Sequence, residues 1–379
     1  MLKRLYIDNF RCFVNFEYKP ERKQLLLGAN GSGKSSLLDA VRLLKGFLRD
    51  ERVDAIRSSF WSGRTRWLDL PKQVFEIEAE LGGDLYIYRL ELQFERIPSW
   101  RAGVLADKVG VLAESLKVNG TPIAEILDGQ AILYPRIPGS SEIRLHQLAI
   151  PEDSIIRAFG GYSEEIKTFV EWISDLPLLN IDPHEMGRAE RLPGRPRLAK
   201  DMWNIADWYK LQTVTDIESV IRLSVSLKEV LEGFESLNFR DAGPDHSELI
   251  ATFKGPKSTV DFRFRELSDG QRCLIALYMI LHFLIAKGQT VFLDEPDNFI
   301  SLREIQPWLV ATEDAVNDSK GQLILISHHP EILNRWSLEY GVYFVREGNG
   351  QVRPPAKFKT DYDGVLQPSE VIARGWEDE

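Results

Sequence analysis

Gly28-Ala29-Asn30-Gly31-Ser32-Gly33-Lys34-Ser35 follows the pattern G-x-x-x-x-G-K-S/T, a spacing suited to holding phosphate. Its glycines let main-chain N–H groups wrap an anion, and a helix starting at the end of the loop adds its positive pole. In this reading Asn30, Gly31, Ser32 and Gly33 form the cradle and Lys34 neutralises the β- and γ-phosphate oxygens of ATP. Ser35 offers its hydroxyl to Mg²⁺, and Ser36 is a further phosphate donor. A second group, Thr290-Val291-Phe292-Leu293-Asp294-Glu295, is an apolar strand ending in two carboxylates. Asp294 is placed to hold the metal and Glu295 to orient or deprotonate an attacking water, which makes ATP hydrolysis the expected chemistry.

Two further groups fit the same chemistry. Ser268, in Leu267-Ser268-Asp269-Gly270-Gln271, precedes a long apolar stretch and suits a helix cap, whose N–H groups point outward as another anion site. Leu325-Ile326-Ser327-His328-His329-Pro330 ends another apolar strand with two histidines. Taken alone, a strand-end histidine more often packs or caps than acts, so His328 and His329 compete for any role.

These groups need elements to hold them. Alternation over Leu2–Phe10 and Phe13–Tyr18 predicts a hairpin, and Gln24–Leu27 a strand running into Gly28. Leu37, Leu38, Val41, Leu44 and Leu48 recur at helical spacing, so the loop sits at a helix N-terminus. Val74–Phe94 and Leu112–Ile126 read as strand pairs turning at Gly82-Gly83-Asp84 and Asn119-Gly120, an antiparallel β lobe. From Pro151 to about Phe234 the period is helical, as in Ile166, Phe169, Val170 and Ile173, or Ile217, Val220, Ile221, Val225 and Leu227. Beyond Ser268 come a long helix, the strand Thr290–Leu293, a helix around Pro307–Val316, the strand Gln322–Ile326 and a strand near Val342–Val345. The expected partition is an ATPase core and β lobe over 1–150, a mainly helical insertion over 151–265, and the signature helix with the rest of the core over 266–379.

Composition narrows the class. With 379 residues, 44% hydrophobic and 27% charged, the chain is an ordinary folded protein of more than one module. Its formal net charge of -10 argues against holding nucleic acid by overall charge, so such contact needs a local patch. Two segments offer one: Arg42–Lys72, and the Gly- and Pro-rich loop Gly187–Lys200 with Arg188, Arg191, Arg195 and Arg197. A solvated charged face is the commoner meaning of such runs. The two cysteines form no metal spacing or disulfide framework, and the Cys273–Ala286 apolar stretch is too short to span a bilayer. A cytoplasmic protein with no membrane association is expected.

The order of the motifs resembles the ABC-type ATPases, whose signature is L-S-G-G-Q and whose switch histidine follows a strand. The chain departs from the signature at Asp269, a position that varies in RecF-like and SMC-like heads. Asn9-Phe10-Arg11, the loop Asn30–Ser35 and the long separation of Lys34 from Ser268 are similar to those heads. Leu198–Trp208 resembles the compact RecF-like ATPases labelled AAA-type, related to the ATPase part of overcoming-lysogenisation-defect nucleases. The resemblance implies an α/β phosphate-loop NTPase fold of ABC type, with a mixed sheet core, antiparallel β lobe and inserted helical lobe. It also implies a homodimer sandwiching ATP, with Ser268, Asp269, Gly270 and Gln271 serving the neighbour's nucleotide and His328 reaching the γ-phosphate. The Mg-sensing glutamine is then Gln130 or Gln147. No heptad run makes a coiled-coil arm and no nuclease domain follows His328, so the load is DNA or a separately encoded nuclease or toxin effector, in repair or maintenance or in anti-phage defence. The alternative is the nucleotide-binding subunit of an ABC transporter, disfavoured by motif spacing.

Overall fold

In the computed structural model the alternating N-terminal residues form a hairpin of β1 (Leu2–Asp8) and β2 (Phe16–Tyr18), with Leu5, Ile7 and Phe16 buried. The structure describes residues 1–49, 53–98, 105–127, 129–135, 143–145, 153–186, 196–243, 246–346, 348, 350–359 and 365–375. After β3 (Lys23–Leu27) come α1 (Lys34–Leu48) and α2 (Val53–Ser62). Six strands follow: β4 (Lys72–Leu81), β5 (Asp84–Pro98), β6 (Leu105–Val118), β7 (Thr121–Leu127), β8 (Gln130–Leu133) and β9 (Ile143–Leu145). Then come α3 (Ile155–Ala158), α4 (Glu164–Asp175), β10 (Leu178–Leu179), α5 (Ile205–Thr215) and α6 (Ile217–Val230). The strands β11 (Phe234–Gly243), β12 (His246–Lys254) and β13 (Thr259–Arg263) precede α7 (Asp269–Ile280). The chain closes with β14 (Thr290–Asp294), α8 (Leu302–Asp318), β15 (Gln322–Ile326), α9 (Pro330–Tyr340), β16 (Gly341–Tyr343), β17 (Ala356–Lys357) and α10 (Pro368–Arg374).

The chain divides into two compact units, one of Met1–Glu21, Gly28–Leu176 and Tyr343–Ala356, the other of Arg22–Leu27, Pro177–Val342 and Lys357–Glu379. The first unit holds an eight-stranded antiparallel sheet in the order β2-β1-β4-β5-β6-β7-β8-β9. On β4 the buried Phe75, Ile77 and Ala79 alternate with Glu76 and Glu78, which pair with Arg4 of β1. That alternation is the mark of a sheet with one apolar and one polar face. One carboxylate breaks the rule. Glu114 of β6 is buried and accepts hydrogen bonds from the Tyr88 hydroxyl (2.8 Å), the Ser154 hydroxyl (2.6 Å) and the Ile155 N–H (2.7 Å), anchoring the start of α3. Burial pushes its carboxyl up to about 7 against the pull of these donors.

The second unit is built on parallel strands, β10, β14, β15 and β3 in that order, with β16 and β17 continuing the order beyond β3. Val291, Phe292 and Leu293 of β14 and Leu323 to Ile326 of β15 are all buried, as expected of strands covered on both faces. The stretch Cys273–Ile280 of α7 is likewise buried on every side and runs on through a π-type turn over Leu281–Ile285, and the Trp308 indole of α8 donates to the Leu277 carbonyl at 3.1 Å.

Two features were not read from the pattern. The segment 151–265, expected to be mainly helical, ends instead in strands: β11, β12 and β13 form a separate antiparallel sheet. The helix α6 exists as its period predicts, but it buries Ser219, Leu223 and Leu227 and leaves Ile217, Ile221 and Val225 exposed. Period finds the helix; packing chooses the face.

Candidate functional site

In the first unit, the residues Gly28–Gly33 turn out of β3 into α1 through main-chain angles that only glycine adopts without strain. Gly28 has φ 134° and a Cβ there would lie 2.5 Å from the Phe344 carbonyl oxygen; Gly33, at φ 110°, is the N-cap of α1. With no capping side chain at Gly33, the first N–H groups of α1 are left for a ligand. The Ser32 N–H donates to the Ala29 carbonyl at 3.1 Å, closing the turn. The Ser32 hydroxyl is buried without a hydrogen-bond partner, a cost a phosphate oxygen relieves. Lys34 is buried as well, its ammonium donating to the carbonyls of Gly28 and, at 3.2 Å, Ala29. Asn30, Gly31 and Ser35 are exposed and Ser36 half-buried. The loop fits a phosphate chain.

In the second unit the strand register brings the other chemistry to one edge. Asp294 lies opposite Ile326, and Ile326 opposite Leu26, so β14, β15 and β3 end together. The carboxyl ends of parallel strands are where α/β sheets place ligands. Asp294 is half-buried, its carbonyl accepting from the Asn180 side-chain amide at 2.9 Å. Glu295 stands in the left-handed region, φ 48°, a strained setting for a side chain with a Cβ. Its N–H donates to the Ile326 carbonyl at 2.8 Å and its carboxylate accepts from Asn298 at 3.2 Å.

The two histidines part company. His329 is the N-cap of α9, its Nδ1 accepting from the Glu331 N–H at 3.3 Å, while its own N–H donates to the Ser327 hydroxyl at 3.0 Å. His328 is exposed at the strand tip. His329 therefore has a structural duty as the cap of α9.

Ser268 caps α7 as its type predicts, in a reciprocal box with Gln271: its hydroxyl accepts from the Gln271 N–H at 3.3 Å and its N–H donates to the Gln271 side chain at 3.1 Å. Asp269, the departure from the signature, has a structural reason. It pairs with Arg272, whose guanidinium also donates to the Pro183 carbonyl at 2.5 Å, and lies 3.8 Å from the His184 ring. Gly270 stands close to the turn after the carboxylates of β14: a Cβ there would sit 3.0 Å from the Phe299 carbonyl oxygen, so one of the two would have to give by a few tenths of an ångström.

Arg188, Arg191, Arg195 and Gln147 lie outside the described residues; Arg197 is exposed, and Gln130 lies on β8. Among the described residues no group of three or more His, Cys, Asp or Glu could hold a metal ion. Sequence reasoning missed Asn180, His184, Arg272 and Asp297. Only Asp297, in the run Asp294-Glu295-Pro296-Asp297, carried a local signal: a third acid beside the pair.

The family model described as "AAA domain, putative AbiEii toxin, Type IV TA system" matches residues 25–120 and 189–334, and the chain belongs to that family. The matched parts include the phosphate loop, Ser268, Asp294, Glu295 and His328. Among solved structures the chain is similar to an SMC head bound to the C-terminal winged-helix domain of ScpA, at 15% identity and TM-score 0.59, over 94% of this chain and 98% of that one. It is also similar to an SMC head with an extended coiled coil, bound to the C-terminal domain of ScpA derived from Pyrococcus furiosus, at 12% identity and TM-score 0.55, over 100% of this chain and 99% of that one. The fold is therefore that of an SMC-like, ABC-type phosphate-loop ATPase head. No curated protein matches it. Among the described residues no helix is long and apolar enough to cross a membrane.

Proposed function

We propose that this chain is an ATP-hydrolysing head that dimerises around its nucleotide and uses the γ-phosphate as a switch. The observation that carries the reading is the glycine-turned loop with a buried, unpartnered Ser32 hydroxyl and the Lys34 ammonium against its carbonyls. Bound ATP with Mg²⁺ supplies the transferable phosphoryl group and the charge that neutralises it. On this reading Lys34 leaves the loop carbonyls for phosphate oxygens, and Ser35 and Asp294 hold the metal. A Glu295 carboxylate oxygen takes the proton of the attacking water, and the His328 ring faces the γ-phosphate. The outward cap of α7, at Ser268, Gly270 and Gln271, serves the nucleotide of a second copy, so each ATP is a removable part of the interface.

The load is a separately encoded effector in a defence system, in preference to DNA in repair, because the family description names a toxin of a toxin–antitoxin system. Light scattering of the isolated chain tests the switch. With Glu295→Gln to block turnover, ATP should produce a dimer, and adding Ser268→Arg should abolish it. An oligomeric state indifferent to both ATP and Ser268→Arg sinks the sandwich.

A further inference from the structure

The basic segment 42–72 has no part in the scheme above, yet its far end lies beside the phosphate loop, within the same compact unit. Arg346 makes the connection. One of its guanidinium nitrogens donates to the Gly31 carbonyl at 3.4 Å, and its guanidinium carbon lies 5.6 Å from the centre of the Trp67 ring. Ring and loop are therefore one guanidinium apart. Trp67 remains 43% exposed, an indole left in solvent next to a phosphate site.

The surroundings of this indole are fixed by hydrogen bonds. Residues 63–72 are strapped to the corner between β1 and β2. The Arg11 N–H donates to the Gly63 carbonyl at 2.6 Å and the Thr65 N–H to the Asn9 side-chain oxygen at 3.2 Å. The side-chain amide of the buried Asn9 in turn donates to the carbonyls of Leu70, at 3.2 Å, and Lys72, at 2.6 Å. Arg346 is held as well, its Nε donating to the Gly350 carbonyl at 2.8 Å. Trp67 helps to line a cleft of about 470 Å³, together with Trp61, Arg64, Arg66 and Asp69. The Arg64 guanidinium lies 4.2 Å from the centre of the Trp61 ring and 4.9 Å from that of Phe94, and its Nε is buried without a hydrogen-bond partner. Indole surface, fixed guanidinium groups and a donor short of an acceptor suit a flat ring with acceptor nitrogens at its edge.

Such a ring comes either from a nucleotide on the loop or from a nucleic-acid strand. The link through Arg346 ends on the phosphate loop itself, which favours the first. A strand would also bring a phosphate with every base to a chain of net charge -10, and to a cleft with Asp69 in its wall. We propose that Trp67 stacks on the base of the nucleotide whose phosphates lie on residues 28–35. It adds affinity for the ground state and the transition state alike, because the base takes no part in phosphoryl transfer. The inference rests on the reading of that loop as an ATP site.

The test titrates the full chain with ATP and with inorganic tripolyphosphate, which carries the phosphates without a base. Trp67→Ala should weaken ATP binding by roughly tenfold and leave tripolyphosphate within about twofold of wild type. Trp67→Phe keeps an aromatic face and should recover most of the loss. In turnover, Trp67→Ala should raise KM for ATP by a similar factor with kcat changed less than about twofold, the mark of lost uniform binding. Equal losses for ATP and tripolyphosphate, ATP affinity within about twofold of wild type, or no rescue by phenylalanine overturns the proposal. So does binding of an oligo-dT strand that Trp67→Ala abolishes while ATP affinity stays, which assigns the ring to nucleic acid. If Lys34→Ala loses both ligands while Trp67→Ala is normal, the stacking role alone fails; if Lys34→Ala binds both normally, the reading of the loop fails with it. Should Trp67→Ala not fold, Trp67→Leu carries the test, since it keeps bulk and removes the ring.

Discussion

The two units bury a carboxylate in opposite ways. Glu114, in the antiparallel sheet, is surrounded by donors: a phenol, a hydroxyl and main-chain N–H groups converge on its two oxygens. Asp297, beside the parallel strand tips, is buried with one carboxylate oxygen left without a hydrogen-bond partner. A saturated buried acid is a fastener whose value is the structure it ties. An unsaturated one adjoins the edge where the chemistry is expected, and costs stability. The contrast separates stability from turnover: a substitution at Glu114 should move the first and one at Glu295 the second.

The largest effect belongs to the strand tip. Glu295→Gln should lower turnover about a thousandfold, near 4 kcal/mol in barrier, while nucleotide binding persists. Single-turnover and equilibrium binding measurements check it; wild-type turnover removes Glu295 from the water-activating role. Melting temperature should not fall, because Gln keeps the shape and relieves a charge.

Next comes Glu114, with the reverse profile. Its folded carboxyl titrates near 7, above its ordinary value, so between those two limits the folded state holds a proton that the unfolded state has lost. Stability therefore falls as pH rises through this window, by on the order of 3 kcal/mol. Urea unfolding at pH 5 and pH 7.5 should show this fall in the wild type and a much flatter response in Glu114→Gln. An equal pH response in the two proteins contradicts the assignment.

The phosphate loop lies between these extremes, since its main chain does the work. Gly28→Ala places a Cβ against the Phe344 carbonyl in a left-handed conformation and should cost about 2 kcal/mol of stability together with most of the ATP affinity. Thermal unfolding and nucleotide titration read the two losses separately. The smallest effect divides the histidines. His329→Ala loses the α9 cap and should cost about 0.5–1 kcal/mol, whereas His328→Ala should leave melting unchanged and slow turnover. The opposite pattern exchanges their roles.

The loop, the strand ends and the cap at Ser268 were legible because each is local. Glycine spacing, an apolar run ending in acids and a serine before a helix declare themselves within a few residues. The two histidines were ambiguous in sequence because adjacent residues of one type differ only in what surrounds them, and the Glu331 N–H on His329 made the distinction. Asn180 and the Asp269–Arg272–Pro183 link were not legible, since they join distant parts of the chain. The sheet β11 to β13 falls in a segment expected to be mainly helical, although Thr259-Val260-Asp261-Phe262-Arg263 alternates polar and apolar residues; all five are exposed in the fold.

The tight approach of Gly270 to the Phe299 carbonyl has a mechanical meaning. A Cβ at this position would meet that oxygen at 3.0 Å, so the turn beyond Glu295 would have to give by a few tenths of an ångström to admit one. Any side chain placed there would press the start of α7, which Ser268 caps, against the turn that follows the carboxylates.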